Sequence, residues 1–311
     1  MAHGVIAKRL AQRLALAAVV VFGVIVLTFI LEYVIPGDPA REMAPRVQST
    51  AVLENIREQL HLNQPLWVQF GYYVGHLAHG DLGQSYVQHE PVTTLIGQRL
   101  PATVVLAIAG VLVEVLLGTP LGIFSALYPR IGRATYGVNL VLLSTTYFVI
   151  GLVLLLVFGF SLGIAPVTGG QGVAELVLPA LTLGLVGVPW YAQIVRDSMR
   201  DALSSPYVRT AISKGLSDRR IVWRHVLRNV LSPVVTLVGL DFGVYLSGVV
   251  IVETVFGWPG IGQLAVQSLS NLDRPVVIGT VIVGTVGVVV ANIGADLVRW
   301  YVDPRTLQER S

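Results

Sequence analysis

The chain has 311 residues, of which 54% are hydrophobic and 13% are charged, and its mean hydropathy is +0.71. This composition excludes an ordinary soluble domain and places the chain in a membrane. The formal charge of +3 does not indicate a nucleic-acid partner, because membrane topology accounts for the basic residues. The absence of cysteine excludes disulfides and thiolate metal sites.

The first predicted element is a membrane-spanning helix within residues 1–35. Three basic residues precede an uncharged run at residues 14–31. At about 1.5 Å per residue, this run is long enough to cross a hydrocarbon core of roughly 30 Å. No small-x-small cleavage signal precedes Pro36, so we predict an uncleaved span and not a signal peptide.

Residues 36–100 form a polar insertion with two predicted surface helices. Apolar residues recur there at three- and four-residue spacing, at Val52, Ile56, Leu60 and again at Phe70, Val74, Leu77. Neither helix is long enough to span a bilayer. A metal site can be imagined nearby, at His76, His79, Asp81 and His89. We favour a surface helix beside a loop and assign no metal.

Five further apolar segments predict spans two to six within residues 101–300. They lie at residues 102–127, in the uncharged stretch 134–174 before its glycine-rich part at 161–172, and at residues 176–195, 234–254 and 275–295. Gly118 and Gly122 have the small-xxx-small spacing that suits close helix packing. The sequence therefore predicts an all-α polytopic membrane protein with six membrane helices and a tail at residues 301–311.

The basic residues predict the orientation of the chain. Sixteen of the 21 lysines and arginines fall on the side of the N-terminus, eight of them between spans four and five. By the positive-inside rule, both termini are then cytoplasmic and the insertion at residues 36–100 is extracytoplasmic. We expect a multi-pass protein of the cytoplasmic membrane.

The sequence offers no motif for catalysis. A phosphate-binding loop needs Gly-Lys-Ser/Thr, and neither Lys8 nor Lys214 follows a glycine. No GxSxG or HExxH motif is present, and the histidines lie outside the predicted spans. We therefore predict no enzyme and no catalytic residue.

Acidic residues in the spans are candidates for the translocation path. An ionised carboxylate at the bilayer centre costs about 3 kcal/mol, so such residues usually have a role. Glu114 and Asp241 lie well inside their spans and Glu253 near a span end. They could relay protons or contact a cationic group, or they could simply form hydrogen bonds between helices.

A basic segment at residues 204–233 is predicted to form two short helices. Ser205 suits an N-cap, Pro206 the first helical position and Gly215 a left-handed stop. Ser217 can cap the second helix. The positive-inside rule would explain the basic residues of this segment, but it would not explain the two predicted capped helices.

At these residues the chain resembles the permease subunits of ABC importers. Their cytoplasmic EAA loop, E-A-A-xxx-G-x9-I-x-L-P, forms a coupling helix that docks into an ATPase subunit. Of the generic motif only Ala211, Gly215 and Leu227 match, and Arg209 stands at the position of the glutamate.

The longer string YVRTAISKGLSDRRIVWRHVLRN resembles more closely the B-type permeases of dipeptide, oligopeptide and nickel importers. IPGDPA at residues 35–40, LNQPLWVQF at 62–70, GDLGQS at 80–85 and ETVFGWPGIGQL at 253–264 are similar as well. The resemblance implies the type I importer permease fold, with a coupling loop at residues 196–232.

The resemblance also implies a function and partners. The partners would be a homologous second permease, two ATPase domains or subunits that hold ATP and Mg²⁺, and an extracytoplasmic binding protein. The subunit would import di- or oligopeptides by alternating access. The residues expected to couple to the ATPase are Tyr207, Val208, Arg209, Thr210, Ala211, Lys214, Gly215 and Leu216.

Several alternatives stay open at this point. Nickel complexes, haem or other small solutes could be the cargo instead of peptides. A proton-coupled carrier would have internal repeats and paired intramembrane ionisable groups, and neither is evident in this sequence. A purely structural membrane subunit would not need glycine-rich, proline-containing spans.

Overall fold

The structure is a computed structural model that describes residues 2–34, 50–59, 63–166, 172–247 and 249–302. The IPGDPA motif at residues 35–40 and most of the predicted tail, residues 303–311, lie outside the described residues. The described residues are almost entirely helical, as the composition predicts.

Thirteen α-helices follow one another along the described part of the chain. They are α1 (Ala2–Val34), α2 (Thr50–Gln59), α3 (Leu66–Ala78), α4 (Val92–Leu127), α5 (Pro129–Leu143), α6 (Tyr147–Leu154), α7 (Val173–Ser204), α8 (Pro206–Ser213), α9 (Asp218–Ile221), α10 (Leu227–Leu246), α11 (Val250–Phe256), α12 (Ile261–Ser270) and α13 (Arg274–Val302). A π-helical turn, Leu155–Ser161, extends α6, and another, Val222–Val226, joins α9 to α10.

Six membrane spans are consistent with the lengths and hydropathy of these helices. Four are single helices, at Leu10–Leu31, Val92–Leu127, Val173–Ser204 and Arg274–Val298. Two more are bent pairs, α5 with α6 at 102° and α10 with α11 at 61°. The predicted number of six is reached only if each bent pair counts as one span.

The break in span three is a departure from the predicted continuous helix. It falls at residues 144–146, where three hydroxyl-bearing residues follow one another. Ser144 Oγ donates to the Leu140 carbonyl at 2.8 Å, and Thr145 Oγ1 donates to the Val141 carbonyl at 2.7 Å. Such side chains satisfy the last carbonyls of a helix and allow it to end within an apolar stretch.

Three predicted boundaries differ from the structure. The helix of span two begins at Val92 and runs through Pro101, so residues 92–100 of the predicted insertion are continuous with this helix. The helix α5 begins at Pro129 and not at residue 134, so it includes Arg130 and Arg133. The helix leading into span five passes through Pro233 without ending there. Neighbouring helices allow prolines within membrane helices.

Glycines let α4 and α7 approach closely, as the small-xxx-small spacing predicts. A Cβ added at Gly118 would lie 2.5 Å from Tyr191 Cβ, and one at Gly122 would lie 2.6 Å from the Ala192 carbonyl oxygen. The α4–α7 pair is the most extensive helix contact in the described chain, followed by α10 with α13.

The buried apolar residues form three clusters along the helix bundle. The first surrounds Val195, Met199 and Val226 and includes residues of α8. The second lies around Leu106, Leu183 and Tyr245, and the third joins the start of α4 to α12 and α13. The first cluster therefore supports α8, and the third supports the opposite end of the bundle.

Candidate functional site

The helix α8 begins where the sequence predicts. Ser205 has an extended conformation and Pro206 occupies the first helical position. The Ser205 carbonyl accepts from the Val208 amide at 3.2 Å, whereas Ser205 Oγ donates backwards to the Ala202 carbonyl at 2.5 Å. The N-cap position is correct, but the expected side-chain cap of α8 is not formed.

One face of α8 is buried against the helix bundle. Val208 and Ala211 are buried in the cluster that contains Met199 of α7 and Val226 before α10, and Leu216 packs against the same cluster. Burial of apolar side chains contributes roughly 25 cal/mol per Å². This helix is consequently packed against spans four and five.

The other face of α8 is open. Tyr207 and Ile212 are 40% and 57% exposed, and Arg209, Thr210 and Lys214 are exposed as well. Thr210 and Ser213 direct their hydroxyls back to carbonyls of their own helix, at 3.1 and 2.9 Å. The surface presented outwards is thus a mixture of apolar and cationic side chains.

Gly215 ends α8 in the left-handed conformation that its position predicts. Its φ is +75°, its amide donates to the Ile212 carbonyl at 2.9 Å, and the Leu216 amide donates to the Ala211 carbonyl at 3.2 Å. These two bonds form a Schellman motif. A residue with a Cβ would be strained here by its conformation alone, since nothing lies within 4 Å of an added Cβ.

A cationic groove follows Gly215. It is lined by Ser217, Arg219, Arg220, Trp223 and Arg224. The Trp223 ring is 58% exposed. The open face of α8 therefore continues into a basic surface that precedes span five.

The structure places Glu114 and Asp241 in separate hydrogen bonds between helices. Tyr245 donates its hydroxyl to Glu114 Oε1 at 2.5 Å, and Tyr191 donates to Asp241 Oδ2 at 2.9 Å. Glu114 is fully buried, whereas Asp241 is half-buried. Glu114 is therefore sealed inside the helix bundle, and only Asp241 borders accessible space.

Gly187 makes room for Glu114 between α4 and α7. An added Cβ at Gly187 would collide with the Glu114 carboxyl group. Glu114 Oε2 has no hydrogen-bond partner among the described atoms, although it is buried. The acid is thus held by one tyrosine and by close packing.

Glu253 has a different environment from the other two acids. It accepts from Thr103 Oγ1 at 2.7 Å and from the Gln263 amide at 2.9 Å, near the N-terminus of α12. Thr103 in turn accepts from the Ile261 amide at 2.9 Å. The fully buried Glu253 carboxyl group thus connects α4 to the turn before α12. The sequence did not identify Thr103 as the partner of Glu253.

A second polar contact not identified from the sequence joins the insertion to span six. Ser85 donates to Asp273 Oδ2 at 2.5 Å, and the Tyr86 amide donates to Asp273 Oδ1 at 3.0 Å. Both Ser85 and Asp273 are buried. Their only signal in the sequence is that polar residues occupy the GDLGQS motif and the short linker before span six.

The histidines of the insertion do not gather around one point. His76 Nδ1 lies 3.0 Å from Asp81 Oδ2, but His79 Nδ1 contacts the Gly75 carbonyl at 2.8 Å. The Gly83 amide donates to Asp81 and, with His76, holds the pKa of this carboxyl below its ordinary value. Within the described ranges, no three His, Cys, Asp or Glu residues are placed to hold a metal ion.

Two protein families match the chain. The family described as "Binding-protein-dependent transport system inner membrane component" matches residues 118–308. The N-terminal family of binding-protein-dependent transport system membrane components matches residues 6–107. Together, the two matches reach all six candidate spans, although the one at Val92–Leu127 is covered only at its two ends.

Curated relatives align over nearly the whole chain. The glutathione transport system permease protein GsiC of Salmonella typhimurium is 37% identical over 283 residues, which cover 90% of this chain and 92% of the relative. The probable D,D-dipeptide transport system permease protein DdpB of Escherichia coli is 39% identical over 327 residues, with coverage of 95% and 96%.

A solved structure has a similar fold. A chain of the MetNI methionine ABC transporter, determined in inward-facing conformations, aligns with a TM-score of 0.57 at 16% identity. The alignment covers 69% of this chain and 99% of that chain. At this identity the likeness concerns the fold alone.

Proposed function

Because the chain belongs to the family of binding-protein-dependent transport system inner membrane components, and is thus an ABC importer permease subunit, we propose that its cargo is a di- or oligopeptide or a similar small solute. The chain would accept cargo from an extracytoplasmic binding protein and release it into the cytoplasm by alternating access.

The two-faced construction of α8 is the observation that carries the coupling part of the proposal. Val208 and Ala211 anchor the helix to the membrane spans, while Tyr207, Arg209 and Lys214 face outwards. A short helix capped by Gly215 can transmit displacement as a rigid body. We propose that an ATPase subunit grips the open face and moves spans four and five through it.

The partners follow from the same argument. A homologous second permease completes the translocation path, and two ATPase domains or subunits bind ATP with Mg²⁺. No phosphate-binding loop occurs in the sequence, so the energy of hydrolysis has to enter from another subunit. The termini and α8 are proposed to be cytoplasmic, in accordance with the distribution of lysine and arginine.

The proposal for the cargo rests on the relatives. The names of GsiC and DdpB specify glutathione and D,D-dipeptides, which are both short peptides. Asp241 is half-buried and hydrogen-bonded to Tyr191, so it could meet the amino group of a passing peptide. Glu114 and Glu253 are fully enclosed and are better suited to hold helices together.

Copurification followed by transport tests the proposal. A tag on this chain should recover a sister permease and two ATPase domains from native membranes. The assembly, placed in proteoliposomes with its binding protein, should accumulate a labelled dipeptide in the presence of ATP and Mg²⁺. The same vesicles without the binding protein serve as the control.

Two outcomes would contradict the proposal at different points. Uptake driven by a proton gradient without ATP would overturn the importer mechanism. ATP-driven uptake of a nickel chelate or haem, with no uptake of peptides, would overturn the cargo and leave the mechanism intact.

A further inference from the structure

The helix α3 of the insertion contacts α1 within its apolar membrane span. The Phe70 ring packs against Phe22 and Phe29, with centroids 6.3 and 5.1 Å apart. Tyr73 packs against Phe29 at 5.7 Å, and its hydroxyl lies 3.2 Å from Thr28 Oγ1. These contacts attach α3 to the membrane-spanning part of α1.

The position of Phe22 indicates the depth of the contact. The span of α1 is Leu10–Leu31, and Phe22 precedes Leu31 by nine residues, or about 14 Å at 1.5 Å per residue. Half of a hydrocarbon core measures about 15 Å. Phe70 therefore lies in the half of the bilayer opposite the N-terminus, between the bilayer centre and the end of the α1 span.

The composition of α3 suits this depth. The helix contains no Asp, Glu, Lys or Arg, and its Gln69 is buried, with Nε2 donating to the Gln64 carbonyl at 2.7 Å. The Tyr73 hydroxyl also has its partner inside the protein, because Thr28 Oγ1, 3.2 Å away, belongs to a residue that is 2% exposed. Thirteen residues are too few to cross the membrane, so α3 can enter only one leaflet.

The exposed residues of α3 are aliphatic and aromatic in its first half, and the exposed His76, which pairs with Asp81, lies in its last turn. Leu66 and Trp67 are 57% and 76% exposed, and Tyr72 is exposed as well. On α1, Leu27 and Ile30 are exposed apolar residues as well. Tryptophan and tyrosine are enriched where a membrane meets water. The α2 helix, in contrast, carries exposed charges such as Glu54 and Arg57.

We propose that α3 is an interfacial helix embedded in the membrane leaflet opposite the N-terminus, with Leu66, Trp67 and Tyr72 in contact with lipid. The insertion would then be a polar loop with a membrane anchor and not a wholly aqueous unit. The occupant of the exposed face is the boundary between headgroups and acyl chains, because Leu66, Trp67 and Tyr72 carry no charge and α3 packs against the membrane span of α1.

Spin labels on single cysteines test the proposal directly, since the chain has no cysteine of its own. Leu66→Cys, Trp67→Cys and Tyr72→Cys are labelled in the assembled importer in lipid nanodiscs. Relaxation by oxygen, which concentrates in lipid, is compared with relaxation by a water-soluble nickel chelate. Leu27→Cys provides the lipid reference, and Glu90→Cys, at an exposed loop residue, provides the aqueous reference.

The measured quantity is the ratio of relaxation by oxygen to relaxation by the nickel chelate. We expect this ratio to be several-fold higher on α3 than at Glu90 and similar to that at Leu27. A ratio like that at Glu90 would place α3 in water, as for a surface that receives the binding protein, and would overturn the proposal. Low relaxation by both reagents would show a protein partner on this face and would overturn it as well.

A second measurement avoids labelling. The tryptophan emission of the unlabelled importer in brominated lipid is compared with that of the Trp67→Phe variant. The emission of Trp67 is the emission of the unlabelled importer minus that of the Trp67→Phe variant. If α3 lies in lipid, bromine strongly quenches this emission. Trp67 emission that bromine does not quench would contradict the proposal, even if a cysteine variant failed to assemble.

Discussion

Glu253 is a buried carboxylate whose two oxygens both accept hydrogen bonds. Its partners are the Thr103 hydroxyl and the Gln263 amide, so the acid supports the start of α12 from a neighbouring helix. The sequence pattern marked Glu253 as a candidate for the translocation path. Its enclosed position favours a positioning role for the turn before α12.

Replacing Glu253 tests this role. Glu253→Ala leaves the Thr103 hydroxyl and the Gln263 amide without their acceptor, which lowers the free energy of unfolding by about 1–3 kcal/mol per orphaned group. Chemical unfolding in detergent measures the change. Glu90→Ala, at an exposed residue, is the control and should have little effect. Equal stability of the two variants would argue against the role.

Gly187 and Glu114 form a steric pair between α4 and α7. Gly187→Ala places a methyl group against the Glu114 carboxyl, and we expect overpacking of this kind to cost about 1–3 kcal/mol. In the Glu114→Ala background the cost should fall, because the carboxyl is gone. A double-mutant cycle measures this coupling, expected at about 0.5–3 kcal/mol.

Gly137→Ala is the matched control for the steric pair. It lies in helix α5, and nothing is within 4 Å of an added Cβ. This substitution should be neutral or slightly stabilising. Strict additivity of Gly187→Ala and Glu114→Ala would mean that the two residues do not interact.

At the scale of the element, α8 depends on the conformation of Gly215. Gly215→Val forces a β-branched residue to a φ of +75°, which costs about 1–3 kcal/mol and loosens the helix stop. We expect the complex to assemble and to hydrolyse ATP while transport falls. Paired assays of ATP hydrolysis and uptake in proteoliposomes measure this uncoupling.

Gly215→Asn is the control for the helix stop. Asparagine adopts the left-handed conformation more readily than valine and should retain most of the coupling. Wild-type transport by Gly215→Val would contradict the prediction. Equal loss in both variants would point to a requirement for glycine that is not conformational.

The connection between the insertion and span six is a second element that can be tested. Asp273→Ala removes the acceptor of Ser85 and of the Tyr86 amide. Because hydrogen bonds to charged groups contribute about 1.5–3 kcal/mol, the Tyr86 amide should exchange with deuterium roughly tenfold faster or more. Asp81→Ala, which loses a bond to Gly83 in the same loop, should leave Tyr86 protected.

At the scale of the whole molecule, the predicted importer permease fold is confirmed by the two family matches and by the likeness to the MetNI methionine transporter. The first and last spans meet at one end, where Arg13 and Asp296 form an ion pair of 3.0 Å. That contact brings the start of α1 next to the last part of α13, which agrees with the predicted even number of spans.

The orientation across the membrane is a prediction of the same scale. The positive-inside rule places Arg133 in the cytoplasm and Glu90 outside. In intact cells, a membrane-impermeant thiol reagent should label Glu90→Cys at once and Arg133→Cys only after permeabilisation. Both residues are exposed, so access to the side chain does not limit the reaction. The reverse pattern would refute the orientation.

The sequence by itself determined the membrane class, the positions of the six apolar segments, the left-handed stop at Gly215 and the resemblance to importer permeases. These features are local, because hydropathy, charge and the conformational freedom of glycine act over a few consecutive residues. The start of α8 at Pro206 was predictable for the same reason.

Only the tertiary structure decided the partners of the buried acids and the location of α3. Thr103 and Glu253 are 150 residues apart, and Ser85 and Asp273 are 188 apart, so their pairing depends on the path of the whole chain. The hydroxyls at Ser144 and Thr145 ended a helix within an apolar stretch that hydropathy treats as continuous. The sequence likewise could not show that α3 packs against α1, because Phe70 and Phe22 lie in different helices.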